Sequence, residues 1–198
     1  MARPLRHIVP GVATHLTQRG NNGTSCFRRD SDYLFYLLHL RELSARLECA
    51  VHAYCLMTNH VHLLISPPST AACVALMKCL GQRYAQYFNR TYGRTGSLWD
   101  GRYHSFVAYT ERYVLACYRY IDLNPVEAGI VDHPARYSWS SYPANALGKD
   151  DRLVCPHAAF LGLGLDSISR RAAYSALCDE KLEPSLLEAI VGGVEKSR

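Results

Sequence analysis

Several features that define other protein classes are missing from this 198-residue chain. No run of 18 or more apolar residues exists, so no membrane-spanning helix is expected. The basic N-terminus is followed by no uninterrupted apolar segment, which argues against a secretory signal. The chain has no Gly-x-x-x-x-Gly-Lys-Ser/Thr motif and therefore no predicted nucleotide-binding phosphate loop. Repeats and low-complexity runs are also lacking, and a hydrophobic content of 48% is typical of a globular fold.

Cysteine is present, but the cysteines do not form any recognised pattern. None of the eight cysteines belongs to a Cys-x-x-Cys pair, and most stand in apolar surroundings. We therefore expect the cysteines to act as small buried hydrophobic residues in a protein of the reducing cytoplasm. A disulfide framework is the alternative, although a chain of this size needs no covalent cross-links to fold.

Charge is unevenly distributed along the chain. Residues 1–120 hold 14 Lys and Arg against 6 Asp and Glu, whereas residues 121–198 hold 8 against 11. A basic N-terminal part suits a polyanionic partner such as DNA or RNA. The alternative is an ordinary solvated surface rich in arginine.

The pattern of apolar residues predicts an α+β fold, with an antiparallel sheet and helices packed on it. The predicted order is strand 7–19, helix 30–48, strands 50–57 and 60–66, helix 70–90, strand 102–109 and a helix from 110. We assign residues 1–145 to one domain. Residues 146–198 are expected to form a C-terminal helical extension, with short helices near 156–162, 167–178 and 184–192.

The segment Asn59-His60-Val61-His62 is the strongest chemical signal. Side chains alternate on a strand, so His60 and His62 share one face, with Cα atoms about 7 Å apart, and can bind one metal ion between them. The alternative is a pair of histidines that are merely exposed or hydrogen-bonded on a strand face, because a His-x-His pattern is short and frequent.

A second signal lies in the run from Tyr120 to Pro125. Tyr120 and Asn124 are four residues apart and share a face if the helix continues. A tyrosine hydroxyl beside a metal-polarised phosphate is a credible nucleophile, and an asparagine oxygen can complete a metal's ligand set. Alternatively, Tyr120 is a core aromatic, and Asn124 with Pro125 begins a new short helix, because a residue before proline disfavours helical geometry.

Together these segments resemble the single-tyrosine HUH transposases, and within them the transposases associated with repetitive extragenic palindromes (REP). The resemblance spans about residues 5–145 and depends on six ordered segments: 17–21, 53–65, 88–90, 96–103, 119–129 and 137–142. One departure is Thr58, where the family usually has proline before Asn-His. That change removes no ligand.

The resemblance implies a metal-dependent enzyme that nicks and joins single-stranded DNA at palindromic hairpins in the bacterial cytoplasm, near the nucleoid. Tyr120 would form a 5′-phosphotyrosine link. His60 and His62, with Asn124 as a provisional third ligand, would bind Mg²⁺ or Mn²⁺. The enzyme would be a monomer or a homodimer.

Cations and aromatic residues of the basic part are the candidate DNA contacts. Arginines and Lys78 would bind phosphates, and aromatic rings would stack on unpaired bases. The residues selected are Arg19, Arg83, Arg90, Trp99, Arg102 and Tyr103. Two competing functions remain open: a DNA-binding protein of the same fold that does not cleave, and a small metallohydrolase that acts on another substrate.

Overall fold

A computed structural model describes residues 7–195, and within that range the side chains of residues 7–192. Residues 1–6, which were considered above for a secretory signal, lie outside the described range. Among the described residues, no helix is long and apolar enough to cross a membrane.

A four-stranded antiparallel sheet forms the centre of the molecule. Its spatial order is β2-β3-β1-β4. The strands are β1 (Thr14–Arg19), β2 (Ala50–Leu56), β3 (His60–Ser66) and β4 (His104–Val107). The α+β class expected from the sequence is confirmed.

Helices cover both faces of the sheet. They are α1 (Asp30–Arg46), α2 (Thr70–Tyr92), α3 (Glu111–Glu127), α4 (Tyr142–Leu147), α5 (Ala158–Leu161), α6 (Ser167–Asp179) and α7 (Pro184–Glu195). One core lies between the sheet and α1 with α2, and includes Leu16 and Leu63. The other lies between the sheet and α3 with the C-terminal helices, and includes Cys55 and Leu64. The two cores reflect the alternation of side chains along each strand.

Strands β1 and β4 are shorter than expected, β3 has the expected bounds, and β2 departs from regular alternation. β1 begins at Thr14 rather than at residue 7. Regular alternation would place Val51 on the same face as Ala53 and Cys55, but a register shift between Val51 and Ala53 places Val51 in the core beneath α1 and α2. A bulge inserts one extra residue and so reverses the alternation at that point.

The helix starts follow the capping rule at two of three places. The Ser69 hydroxyl accepts from the Ala72 amide at the start of α2, and the Thr110 hydroxyl accepts from the Tyr113 amide at the start of α3. Neither Asp30 nor Ser31, two residues with side chains suited to capping, caps α1. There the Asp32 carboxylate accepts from the backbone amides that precede the helix.

Helix α3 continues through Pro125 to Glu127, so the alternative in which a new short helix begins at Asn124 is wrong. Pro125 lies in the last turn, two residues before the end of α3, where its missing amide removes one helical hydrogen bond. Tyr120 and Asn124 therefore lie one turn apart on the same side of one helix.

The C-terminal segment packs on α3. Phe160, Tyr174 and Ile190 belong to the same buried cluster as Ile121. The three expected C-terminal helices are present as α5, α6 and α7, and α4 was not foreseen. All eight cysteines lie in the described range, and none of them forms a disulfide; six are buried, as expected, but Cys155 is exposed.

Candidate active site

The two strand histidines lie at the centre of the sheet, facing α3. In the β1–β3 register, His60 lies opposite Arg19 and His62 lies opposite Thr17. Residues paired across antiparallel strands point to the same face, so these four side chains line one surface. The imidazole rings of His60 and His62 are 4.7 Å apart between centroids. The expected shared face of the pair is therefore present.

A third histidine, His15 on β1, fixes the orientation of His62. His15 Nε2 and His62 Nδ1 are 2.9 Å apart, and the Thr17 hydroxyl lies 3.3 Å from the same His62 nitrogen. The other nitrogen, His62 Nε2, is buried and has no hydrogen-bond partner among the described residues. His62 is thus held by Nδ1 while Nε2 stays available to a ligand, as metal-binding histidines require.

His60 is oriented in a similar way by its neighbour. Its Nδ1 donates to the side-chain oxygen of Asn59 at 2.7 Å, which leaves Nε2 with the lone pair in the neutral ring. Asn59 in turn donates from its side-chain nitrogen to the Gly23 carbonyl. The tight turn between β2 and β3 thereby fixes the first ligand candidate.

All three imidazoles are kept neutral by their surroundings. Burial lowers the pKa of His60 to about 4 and that of His15 to about 3. Burial, reinforced by the nearby His60 and His15, also holds the pKa of His62 well below its usual range. Because a metal ion binds the neutral ring, these groups need lose no proton to become ligands near pH 7.

Tyr120 packs directly against this cluster. Its ring centroid is 5.5 Å from that of His62 and 5.7 Å from that of His15. The Asn124 side chain lies close enough to His60 and Tyr120 to influence the pKa of each group. Burial raises the pKa of the Tyr120 hydroxyl, and the nearby Asn124 amide opposes that rise. Asn124 therefore connects the candidate nucleophile to a candidate metal ligand.

The side chains present fit a divalent ion with two nitrogen ligands and one amide oxygen. The partnerless, buried His62 Nε2 is the observation that supports this fit. No group of three His, Cys, Asp or Glu that could hold a metal occurs in the described part of the chain. The third protein ligand would accordingly be the Asn124 oxygen, and two imidazoles suit Mn²⁺ at least as well as Mg²⁺.

Comparison with known protein families decides the family to which this arrangement belongs. The model of the family "Transposase IS200 like" matches residues 9–124, which include every residue of the cluster. The chain belongs to the IS200-like transposase family.

A solved structure of low sequence identity shares the fold of this transposase. A REP-associated tyrosine transposase bound to a REP hairpin is 14% identical, with a TM-score of 0.60, over 79% of this chain and 93% of that one. A putative transposase from Deinococcus radiodurans R1 is 18% identical, with a TM-score of 0.43, over 61% of this chain and 96% of that one. No curated protein matches the chain significantly.

The four arginines selected from the sequence as candidate DNA contacts lie on different parts of the transposase. Arg19 is exposed beside His60, on the face of the sheet that carries Tyr120. Arg83 and Arg90 are exposed on α2, behind the sheet, and Arg83 lies 3.8 Å from the Glu42 carboxylate. Arg102 is also exposed and lines a cavity on the face of the sheet opposite to the histidines. Of these four cations, only Arg19 therefore lies on the same face as the histidines.

Trp99 and Tyr103 are mostly buried, with 6% and 7% of their surfaces exposed. The Trp99 indole nitrogen donates to the Gly81 carbonyl at 3.0 Å. Neither ring forms an open stacking platform, but both line a cavity behind the sheet. Their expected contact with unpaired bases is thus restricted to that cavity.

Sequence reasoning missed His15, Thr17 and His104, which lie on the same sheet face as His62. His104 pairs with Thr17 on β4, and Thr17 pairs with His62 on β3. The alternation of His15, Thr17 and Arg19 along β1 was a visible signal that these three share a face. The identity of that face could be known only from the register between β1 and β3.

Proposed function

We propose that this transposase cuts and rejoins single-stranded DNA, with Tyr120 as nucleophile and Mg²⁺ or Mn²⁺ held by His60, His62 and Asn124. The observation that carries the proposal is the contact of Tyr120 with His62, whose Nε2 is buried without a partner among the described residues. Phosphoryl transfer to a tyrosine needs a nucleophile beside a metal ion, and here the candidate nucleophile lies in ring contact with one of two candidate metal ligands.

In the cleavage step, the Tyr120 oxygen would attack the scissile phosphorus. The phosphorus–oxygen bond to the tyrosine forms as the bond to the 3′ oxygen breaks, and the tyrosine proton is taken up overall by the departing 3′ oxygen. A 5′-phosphotyrosine link and a free 3′-hydroxyl result. The link conserves the energy of the bond, so another 3′-hydroxyl can reverse the step without a nucleotide cofactor.

The residues of the chain would bind and orient the reacting groups. Asn124 would hold the Tyr120 hydroxyl toward His60, because α3 fixes both side chains one turn apart. Arg19 lies exposed beside His60, where a scissile phosphate would approach. A bound divalent ion would polarise the phosphate and stabilise the charge that develops on it.

The proposed substrate is a palindromic DNA hairpin with a short single-stranded flank. Residues 1–120 are rich in cations, which favours a polyanion. A REP-associated transposase with the same fold is known bound to a REP hairpin. Its identity to this chain is low, so the substrate is inferred from the fold and the charge together.

The test is incubation of the full chain with single-stranded palindromic DNA and Mn²⁺. We expect a covalent protein–DNA adduct that resists denaturation and is lost in Tyr120→Phe. His60→Ala should abolish the adduct while DNA affinity stays within a few fold. An adduct that persists in Tyr120→Phe would refute the choice of nucleophile. Tight binding without cleavage, across metals and hairpins, would instead identify a DNA-binding protein of this fold.

A further inference from the structure

A cavity of about 540 Å³ lies behind the sheet, on the face opposite to Tyr120. This open cleft is bounded by α2 and by the loop that leads to β4. Ligand-binding clefts of this size are common, and they combine apolar walls with a few convergent polar groups. Six of the residues that line it carry the argument: Gln18, Lys78, Gly81, Trp99, Arg102 and Tyr103.

Gln18 is the polar group buried at the cavity wall. It follows Thr17 on β1, so its side chain points away from the histidines and toward α2. Only 7% of its surface is exposed, yet its side-chain oxygen has no hydrogen-bond partner in the described range. Buried polar groups are nearly always paired, which makes an unpaired amide oxygen at a cavity wall a candidate contact for a ligand.

Gly81 leaves open the space next to this amide. A Cβ atom at Gly81 would lie 3.5 Å from the Trp99 indole nitrogen and 3.6 Å from both polar atoms of the Gln18 side chain. The indole is itself fixed, because it donates to the Gly81 carbonyl. Because Gly81 has no side chain, the space next to the Gln18 amide stays open, and the fixed Trp99 ring forms one wall of it.

Two cations stand among the lining residues. Lys78 on α2 and Arg102 in the loop are both exposed, whereas Trp99 and Tyr103 are buried. A cavity with aromatic walls, an unpaired amide and exposed cations matches the parts of one nucleotide: a flat base, its polar edge and its phosphate.

We propose that this cavity takes one unpaired adenine of the DNA, with the Gln18 amide at its polar edge and Lys78 and Arg102 near its phosphate. A glutamine amide pairs with adenine through two hydrogen bonds, in which its oxygen accepts from the exocyclic amine and its nitrogen donates to a ring nitrogen. The inference depends on the proposed action on single-stranded DNA and adds a specificity-determining residue on the other face of the sheet.

The test measures binding of labelled dA8 and dT8 oligonucleotides to the full chain, without metal ions. Wild type should bind dA8 more tightly than dT8, and Gln18→Leu should reduce that preference by about tenfold. Gln86→Leu is the matched control, because Gln86 is exposed on α2 and does not line the cavity. It should leave the preference unchanged.

Gly81→Ala separates binding from folding. Alanine favours a helix more than glycine does, and its Cβ would meet only ordinary contacts, so the thermal midpoint should not fall. Binding of dA8 should nevertheless weaken, because the methyl group takes space next to Gln18. Any of three results would overturn the inference. Wild type could bind dA8 and dT8 equally, Gln18→Leu could leave the preference unchanged, or Gly81→Ala could leave dA8 binding unchanged. Because no cleavage is involved, failure here leaves the Tyr120 adduct assay as a separate test of the proposed function.

Discussion

Removing one hydroxyl group tests how the C-terminal segment holds the helix that carries Tyr120. Asp122 on α3 is fully buried and accepts three hydrogen bonds, one of them from the Tyr174 hydroxyl of α6 at 2.8 Å. The others come from Ser141 at 2.7 Å and Asn145 at 3.1 Å. Tyr174→Phe removes a single donor and keeps the ring in the core.

The expected loss follows from the charge of the acceptor. Burial raises the pKa of Asp122 to about 6, although its three hydrogen bonds lower it, so the carboxylate is mostly ionised at pH 7.5. A hydrogen bond to a charged group contributes about 1.5–3 kcal/mol. Tyr174→Phe should therefore lower the free energy of unfolding by about that amount. For a chain of this size, the thermal midpoint falls by roughly 2–4 °C for each kcal/mol.

The matched control is Tyr36→Phe. Tyr36 is also fully buried, but its hydroxyl has no hydrogen-bond partner in the described part of the chain. Its removal should leave stability unchanged or increase it, because a buried unpaired hydroxyl is costly. Urea unfolding followed by circular dichroism at pH 7.5 measures both variants. Equal destabilisation by the two substitutions would refute the reasoning, because the Asp122 contact would then contribute nothing specific.

Two further predictions concern histidines. His15→Phe should weaken Mn²⁺ binding, measured by calorimetry, by roughly 10- to 100-fold, because His62 loses the partner that fixes its ring; an unchanged affinity would show that His15 does not position His62. Burial lowers the pKa of His52 to about 4, so the unfolded chain takes up a proton that the folded chain excludes as pH falls from about 6.5 to 4. Stability should fall across that window, measured by urea midpoints, and should fall less steeply in His52→Gln; parallel curves would contradict the assignment.

Features governed by local periodicity could be predicted from the sequence. The shared face of His60 and His62 follows from the alternation of side chains on any strand, and β3 confirms it. The order of strands and helices follows from the change between periods of two and of three to four residues. Neither prediction needed knowledge of what packs against the segment.

Features that depend on pairing between distant segments could not be predicted. His15 reaches His62 only because the register of β1 and β3 places Thr17 opposite His62, and no local pattern specifies a register. The bulge that moves Val51 to the other core arises in the same way, from pairing with β3. The place of Tyr174 beside Asp122 depends on contacts across 52 residues of sequence.

The continuation of α3 through Pro125 shows a local rule overruled by packing. The residue before proline disfavours helical geometry, which favoured the alternative of a break at Asn124. Ile121 and Asp122, in the preceding turn, are fully buried, and Asp122 is held by donors from the segment after α3. The Pro125 carbonyl also accepts from the Ile130 amide at 2.9 Å, which satisfies an end that the helix would otherwise leave open. Because these contacts fix the turn on both sides, Asn124 stays helical and lies near His60 and Tyr120, as the proposed third metal ligand must.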